Sequence, residues 1–109
     1  MAGRPVHLAV DRPTLVVAVK PDCDGCREFI EGDLEELGGL RVVPVARDDG
    51  AGEWARARRE VVVAPELLDE LDVRWPPFYV LLGPGRQLLA EGVVFGPAQV
   101  AAEVAPYLA

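Results

Sequence analysis

The chain of 109 residues is 50% hydrophobic and 27% charged, a balance typical of one soluble globular domain. Eleven Lys and Arg residues against eighteen Asp and Glu residues give a net charge of −7, which disfavours nucleic acid and anionic membranes as partners. We therefore expect a single domain over residues 1–109, without a membrane span or a signal peptide, in the cytoplasm. A soluble domain excised from an anchored or exported protein would have the same composition.

The N-terminal third of the chain predicts a strand followed by a helix. Residues 14–20, TLVVAVK, are rich in β-branched side chains, which is typical of a buried central strand. Apolar residues then recur at helical spacing, which predicts a helix from about residue 24 to the glycine pair at 38–39. The residues that set this spacing are Ile30, Leu34 and Leu37.

The middle of the chain predicts a second strand and a second helix. Residues 40–46, LRVVPVA, predict a strand in which Pro44 favours an irregular or edge position. Residues 61–64 predict a short extended piece, and Pro65 can open the helix that follows it.

The C-terminal part of the chain predicts a hairpin and a last helix. Residues 78–82 and 87–92 flank a GPGR turn, and residues 97–108 carry apolar residues at helical spacing. The order of elements along the whole chain predicts an α/β fold with a mixed central sheet flanked by helices.

Cys23 and Cys26 form a Cys-x-x-Cys pair between the first predicted strand and the start of a helix. Unpaired N–H groups and the positive dipole end of a helix stabilise a thiolate, so we expect Cys23 to be the exposed nucleophile. Cys26, one turn inward, can attack the mixed disulfide that Cys23 forms with a substrate. With two cysteines and one histidine, His7, the chain cannot complete a four-ligand zinc site by itself, and we expect no metal and no cofactor.

Two stretches, CDGC and LDVRWPPFYVLLGPGRQLLAEG, resemble the thioredoxin superfamily, and the resemblance extends from Leu15 to Leu108. The stretch VVVAPELLDELDV further resembles the thiol-disulfide interchange branch, which includes maturation proteins of the methylamine dehydrogenase type. The resemblance implies a thioredoxin-like three-layer sandwich with a shortened N-terminus. It also implies a substrate groove in which Pro77 is the cis-proline and Gly92 the lining glycine. The other residues that we assign to this groove are Trp75 and Pro76.

The chain departs from the family pattern around the dithiol. Asp22 stands where thioredoxins carry tryptophan, and Val17 stands where many thioredoxins place a buried aspartate. Pro76 precedes the expected cis-proline and has no N–H to offer a bound peptide. We expect these departures to weaken general disulfide reduction more than they alter the fold.

The charges beside the dithiol predict a slow nucleophile. Asp22 and Asp24 bracket Cys23 and should disfavour its thiolate, while Lys20 and Arg27 offset part of that effect. A disfavoured thiolate indicates a reductant more than an oxidant.

Three functional hypotheses follow. The first is a thiol-disulfide oxidoreductase that exchanges with protein or small-molecule disulfides and needs a reductant partner. The second is a noncatalytic thioredoxin-fold binding module whose disulfide is structural or vestigial. The third is a dimer bridged by zinc through the CDGC segments of two chains.

Overall fold

The computed structural model describes residues 10–21, 23–32, 34–48, 52, 54, 58–73 and 75–108. Within these residues the chain forms five strands and three α-helices, with short 3-10 turns between some of them. In chain order the elements are β1 (Thr14–Ala18), α1 (Asp24–Glu31), β2 (Arg41–Ala46), β3 (Val62–Val63), α2 (Pro65–Glu70), β4 (Phe78–Gly83), β5 (Gln87–Val93) and α3 (Pro97–Val104).

The strands form one mixed sheet in the order β3-β2-β1-β4-β5. Strands β1, β2 and β3 are parallel, whereas β4 is antiparallel to both β1 and β5. All five residues of β1 are buried, as expected for a central strand covered on both faces. The predicted hairpin is confirmed as β4 and β5.

Each face of the sheet has its own hydrophobic core, because successive side chains of a strand point to opposite faces. Leu15 and Val17 of β1 point to the face covered by α1 and α3, and Val16 and Ala18 point to the face covered by α2. The helical residues buried on the first face are Cys26, Phe29, Ile30, Val100 and Val104. Those buried on the second face are Leu67 and Leu68. The predicted three-layer sandwich is therefore confirmed.

The predicted first helix is wrong at its C-terminal end, because α1 ends at Glu31 and not at the glycine pair at 38–39. Gly32 leaves the helix with extended angles (φ −76°, ψ 166°), while its N–H still donates to the Glu28 carbonyl at 2.9 Å. A Cβ on Gly32 would lie 2.4 Å from that oxygen, so a larger residue forces the backbone to move. The apolar spacing that suggested a longer helix continues into a 3-10 turn at Glu35–Leu37, whose last leucine stays buried.

Pro44 lies in β2, which is next to the edge of the sheet and not at the edge itself. The Val45 carbonyl accepts from the Val19 N–H on the β1 side, so Pro44, the residue before it, faces the β3 side. Strand β3 pairs only with Val45 and Ala46, and it stops short of Pro44. The missing N–H of Pro44 therefore removes no ladder hydrogen bond.

Some predictions concern residues outside the described ranges. The shortened N-terminus and His7 fall within residues 1–9, and Asp22 is also outside them. In the described part of the chain, every helix is too short or too polar to cross a membrane. The single-domain organisation over residues 1–109 stays a prediction.

Candidate redox site

Cys23 occupies the N-cap position of α1. Its backbone is extended (φ −122°, ψ 111°), and its Sγ accepts a hydrogen bond from the Cys26 N–H at 3.3 Å. The Cys23 carbonyl accepts from the Arg27 N–H at 3.0 Å, which starts the helix. Cys23 is partly exposed. Cys23 thus lies at the end of the helix where unpaired N–H groups and the dipole favour an anion, and its role as the nucleophile stays a prediction.

Cys26 lies one turn into α1, where it is 1% exposed and belongs to the same core as Phe29. Burial raises the pKa of the Cys26 thiol from its ordinary value of 9.0 to about 12, and the hydrogen bond with the Cys23 side chain adds to the rise. A backbone hydrogen bond from Lys20 and the charge of Lys20 lower the pKa in part. Cys26 is therefore a neutral thiol at physiological pH, and both cysteines are free thiols.

The proline segment before β4 lies against the dithiol turn. The peptide bond between Pro76 and Pro77 is cis, and the Pro77 carbonyl accepts from the Val94 N–H at 3.2 Å. Gly25, between the two cysteines, faces both residues: a Cβ built on it would lie 3.8 Å from Pro77 Cγ and 3.8 Å from the Val94 carbonyl oxygen. The fold thus brings together three segments, the CDGC turn, Pro77 and the end of β5.

Two other predicted groove residues have different surroundings. Trp75 is 80% exposed, so its ring is accessible to a partner. Gly92 pairs with Tyr79 across the sheet, and a Cβ built on it would meet the Tyr79 ring and Glu103. The groove roles of Trp75, Pro76, Pro77 and Gly92 stay predictions.

The charged residues predicted to tune the dithiol are arranged around the start of α1. Asp24 is the first residue of the helix and is exposed, and Arg27 and Lys20 are exposed as well. Lys20 acts on Cys26, through the backbone hydrogen bond and the charge described above. Asp22 lies outside the described residues, and the effect of the acidic flank on Cys23 stays a prediction.

Sequence reasoning missed the end of β5 and the turn that follows it. Val94 is buried beside Pro77, while Phe95 is 79% exposed. The apolar run VVF gave no sign that its last residue points outward, because a phenylalanine after a strand is more often buried. Gln99 offered a usable signal, since glutamine at the third helical position often caps the backbone N–H at the helix start.

Metal ligands are sparse around the dithiol. Within the described ranges no group of three or more His, Cys, Asp or Glu residues is placed to hold a metal ion. The zinc bridge between two chains stays a hypothesis.

No protein-family model and no curated protein sequence matches the chain. Solved structures do match. A candidate thiol:disulfide interchange protein DsbE from Chlorobium tepidum has a TM-score of 0.67 and 18% identity, over 92% of this chain and 82% of the other. The N-terminal domain of PilB from Neisseria gonorrhoeae has a TM-score of 0.65 and 16% identity, over 92% of this chain and 80% of that domain.

A third match is the thioredoxin domain of a thiol-disulfide oxidoreductase from Bacteroides vulgatus. Its TM-score is 0.62 at 13% identity, over 91% of this chain and 81% of the other. This chain has the thioredoxin-like fold. At such low identity the thioredoxin-like architecture is what the matches share, so the expected fold is confirmed. The methylamine dehydrogenase maturation branch stays a prediction.

Proposed function

We propose that this thioredoxin-like protein is a thiol-disulfide oxidoreductase that exchanges its Cys23–Cys26 dithiol with protein disulfides, acting as the reductant. The observation that carries the proposal is the pairing of a partly exposed sulfur at a helix N-terminus with a buried thiol one turn behind it. Nucleophilic attack needs an accessible sulfur, and Cys23 is the partly exposed one of the two cysteines.

The exchange proceeds in two steps. The Cys23 thiolate attacks one sulfur of a substrate disulfide, which forms a mixed disulfide and releases the other substrate sulfur as a thiolate. Cys26 then attacks the Cys23 sulfur, forms the Cys23–Cys26 disulfide and releases the second substrate sulfur. Two electrons pass to the substrate, and the Cys26 proton passes to the leaving thiolate or to water.

The raised pKa of Cys26 fits the second role and not the first. At neutral pH its thiol is protonated and inert, so it does not compete with Cys23 for substrates. Once the mixed disulfide forms, Cys26 is the thiol held closest to Cys23, and proximity compensates for its low thiolate fraction.

The reducing direction is supported by the charges near Cys23. Asp24 lies in the first turn of α1, where its carboxylate repels the neighbouring thiolate. Strong oxidants of this kind owe their potential to a stabilised reduced form, so a less stabilised thiolate favours the reductant. Turnover then requires a thiol reductant that restores the dithiol. A cytoplasmic location would suit this role, because cytosolic thiols are kept reduced, and it stays a prediction.

One observation favours the alternative of a noncatalytic binding module with a structural disulfide. Pro76 has no N–H, so a peptide laid beside the Pro76–Pro77 segment lacks one backbone hydrogen bond. Such a bond contributes about 0.5–1.5 kcal/mol, which weakens peptide capture without preventing it.

Reduction of insulin by dithiothreitol, with and without the protein, tests the proposal. We expect the wild type to accelerate the reaction and Cys23→Ser to leave it at the uncatalysed rate, while circular dichroism shows both folded. A redox titration distinguishes the oxidoreductase from the binding module. A structural disulfide has a reduction potential below about −300 mV and so resists reduction, whereas an exchanging pair equilibrates with glutathione or thioredoxin buffers. No acceleration together with such a resistant bridge would contradict the oxidoreductase.

A further inference from the structure

Phe95 is an exposed residue in the turn after β5, next in sequence to the residue that lies against the dithiol turn. It follows Val94, whose N–H bonds to Pro77 and whose carbonyl faces Gly25. Its side chain is 79% exposed. A single exposed apolar residue is common and does not by itself indicate a binding site. Phe95 differs because side-chain hydrogen bonds fix its backbone.

The Gln99 side chain clamps this turn. Its Oε1 accepts from the Phe95 N–H at 2.8 Å and from the Gly96 N–H at 3.3 Å. Its Nε2 donates to the Val93 carbonyl at 3.0 Å and to Glu103 Oε2 at 2.7 Å. A glutamine amide has two acceptor and two donor positions, and all of them are used here. The amide can therefore not rotate without leaving backbone groups unpaired.

Glu103 connects the clamp to the core. While Oε2 accepts from Gln99, Oε1 accepts from the Tyr79 hydroxyl at 2.6 Å. Tyr79 is 2% exposed and lies in β4, within the core that also contains Cys26. A Cβ on Gly92 would lie 3.1 Å from Tyr79 Cε1 and 3.3 Å from Glu103 Oε1, so this glycine leaves room for the pair. A continuous chain of contacts thus runs from the core to the backbone of Phe95.

We propose that Phe95 is a specificity-determining residue that contacts an apolar side chain next to the substrate cysteine, and that Gln99, Glu103 and Tyr79 are positioning residues that hold it there. The inference rests on the proposed oxidoreductase function and names its substrate class: disulfides flanked by a bulky apolar residue. Disulfides without such a neighbour should react at a rate that does not depend on Phe95.

The test compares three disulfide substrates. Two are cystine peptides of equal length and charge, with leucine or serine next to the cysteine, and the third is hydroxyethyl disulfide, which lacks a peptide. For Phe95→Ala we expect KM for the leucine peptide to rise roughly tenfold with kcat unchanged. The serine peptide and hydroxyethyl disulfide should react as with the wild type. Leu88→Ala is the matched control, because Leu88 is an exposed residue of β5 at the opposite end of the strand.

Gln99→Leu and Tyr79→Phe test the positioning role, because each removes polar atoms and keeps most of the volume. Both should raise KM for the leucine peptide and leave kcat on hydroxyethyl disulfide unchanged. In the Phe95→Ala background, Gln99→Leu should add nothing, since its effect acts through Phe95. If Gln99 and Tyr79 have only a structural role, their variants should change the kinetics of all three substrates alike, or add to the effect of Phe95→Ala. Either result would overturn the positioning role.

The failures of the two proposals differ. If the wild type reduces the leucine and serine peptides with the same KM, and Phe95→Ala has the kinetics of the wild type, the specificity role is overturned. The oxidoreductase proposal is then unaffected. A folded wild type that reduces none of the three disulfides overturns the oxidoreductase, and the specificity role falls with it.

Discussion

Helices α1 and α2 follow the parallel strands β1 and β3. Both therefore begin at the carboxyl ends of the parallel strands, on opposite faces of the sheet. Helix α1 begins at Cys23, which is partly exposed and accepts a backbone N–H. Helix α2 begins at Ala64, which is fully buried and has no side-chain acceptor, so only its carbonyl accepts, from the Leu67 N–H at 3.1 Å. Pro65, the next residue, has no N–H to satisfy. The two helix starts therefore differ in chemistry, because Cys23 places an accessible sulfur at the first and Ala64 places a buried methyl group at the second.

The largest expected effect separates the two cysteines within α1. With a pKa of about 12, only about one Cys26 in ten thousand is a thiolate at pH 8. We therefore expect iodoacetamide to modify Cys23 in Cys26→Ser far faster than it modifies Cys26 in Cys23→Ser. Rates followed by mass spectrometry should converge in 6 M guanidinium, where burial is lost. Similar rates in the folded variants would contradict the buried, neutral state of Cys26.

The second prediction concerns stability at high pH. A raised pKa means that Cys26 binds its proton more tightly in the folded chain than in the unfolded chain. The protonated thiol therefore makes its full contribution to the free energy of unfolding below pH 9, and this contribution is lost as pH rises towards 12. The reduced wild type should therefore lose stability relative to reduced Cys26→Ala across this window, as measured by urea unfolding. Burial also raises the pKa of Tyr79, but that effect is common to both proteins. Parallel pH profiles would refute the assignment to Cys26.

The third prediction concerns how α1 ends. Gly32→Ala places a Cβ within 2.4 Å of the Glu28 carbonyl oxygen and should destabilise the fold by about 1–3 kcal/mol. Gly39→Ala is the matched control, because nothing lies within 4 Å of its Cβ position, and its effect should stay within about 0.5 kcal/mol. Equal losses in chemical denaturation would show that the end of α1 does not depend on Gly32.

The smallest effect belongs to α2. Arg47 Nη2 donates to Asp69 Oδ1 at 2.8 Å, but the two side chains are 40% and 68% exposed. Solvent screens such a pair, so Asp69→Asn should change the free energy of unfolding by less than about 0.5 kcal/mol. Arg47 keeps a second acceptor in the Val73 carbonyl at 2.9 Å. A loss well above 1 kcal/mol would indicate that this exposed ion pair stabilises the fold more than solvent screening allows.

Local patterns in the sequence predicted most of the fold. The β-branched run of β1 and the turn between β4 and β5 are local signals, and CDGC before an apolar helix places a dithiol at a helix start. The predicted end of α1 is wrong because Leu34 and Leu37 keep helical spacing at a 3-10 turn beyond the helix. The chain leaves the helix at Gly32, in a conformation in which a Cβ would meet the Glu28 carbonyl oxygen.

The candidate site was predictable only in part, because its rim is tertiary. Tyr79 has the pattern of an ordinary strand residue, and nothing local indicates that its hydroxyl meets Glu103, 24 residues later. The same holds for Val94 and Pro77, which are brought together by the register of β4 and β5. Sequence patterns identify the reactive group, and long-range pairing decides what surrounds it.

Trapping of a mixed disulfide is the most direct test of the central claim that Cys23 attacks and Cys26 resolves. Cys26→Ser and Cys23→Ser, each folded and reduced, are mixed with a cystine peptide, and the products are analysed by mass spectrometry under nonreducing conditions. We predict that Cys26→Ser accumulates a peptide adduct on Cys23, that Cys23→Ser forms none, and that the wild type releases the peptide and gains an internal disulfide. An adduct that forms equally in both variants, or in neither, would contradict the account.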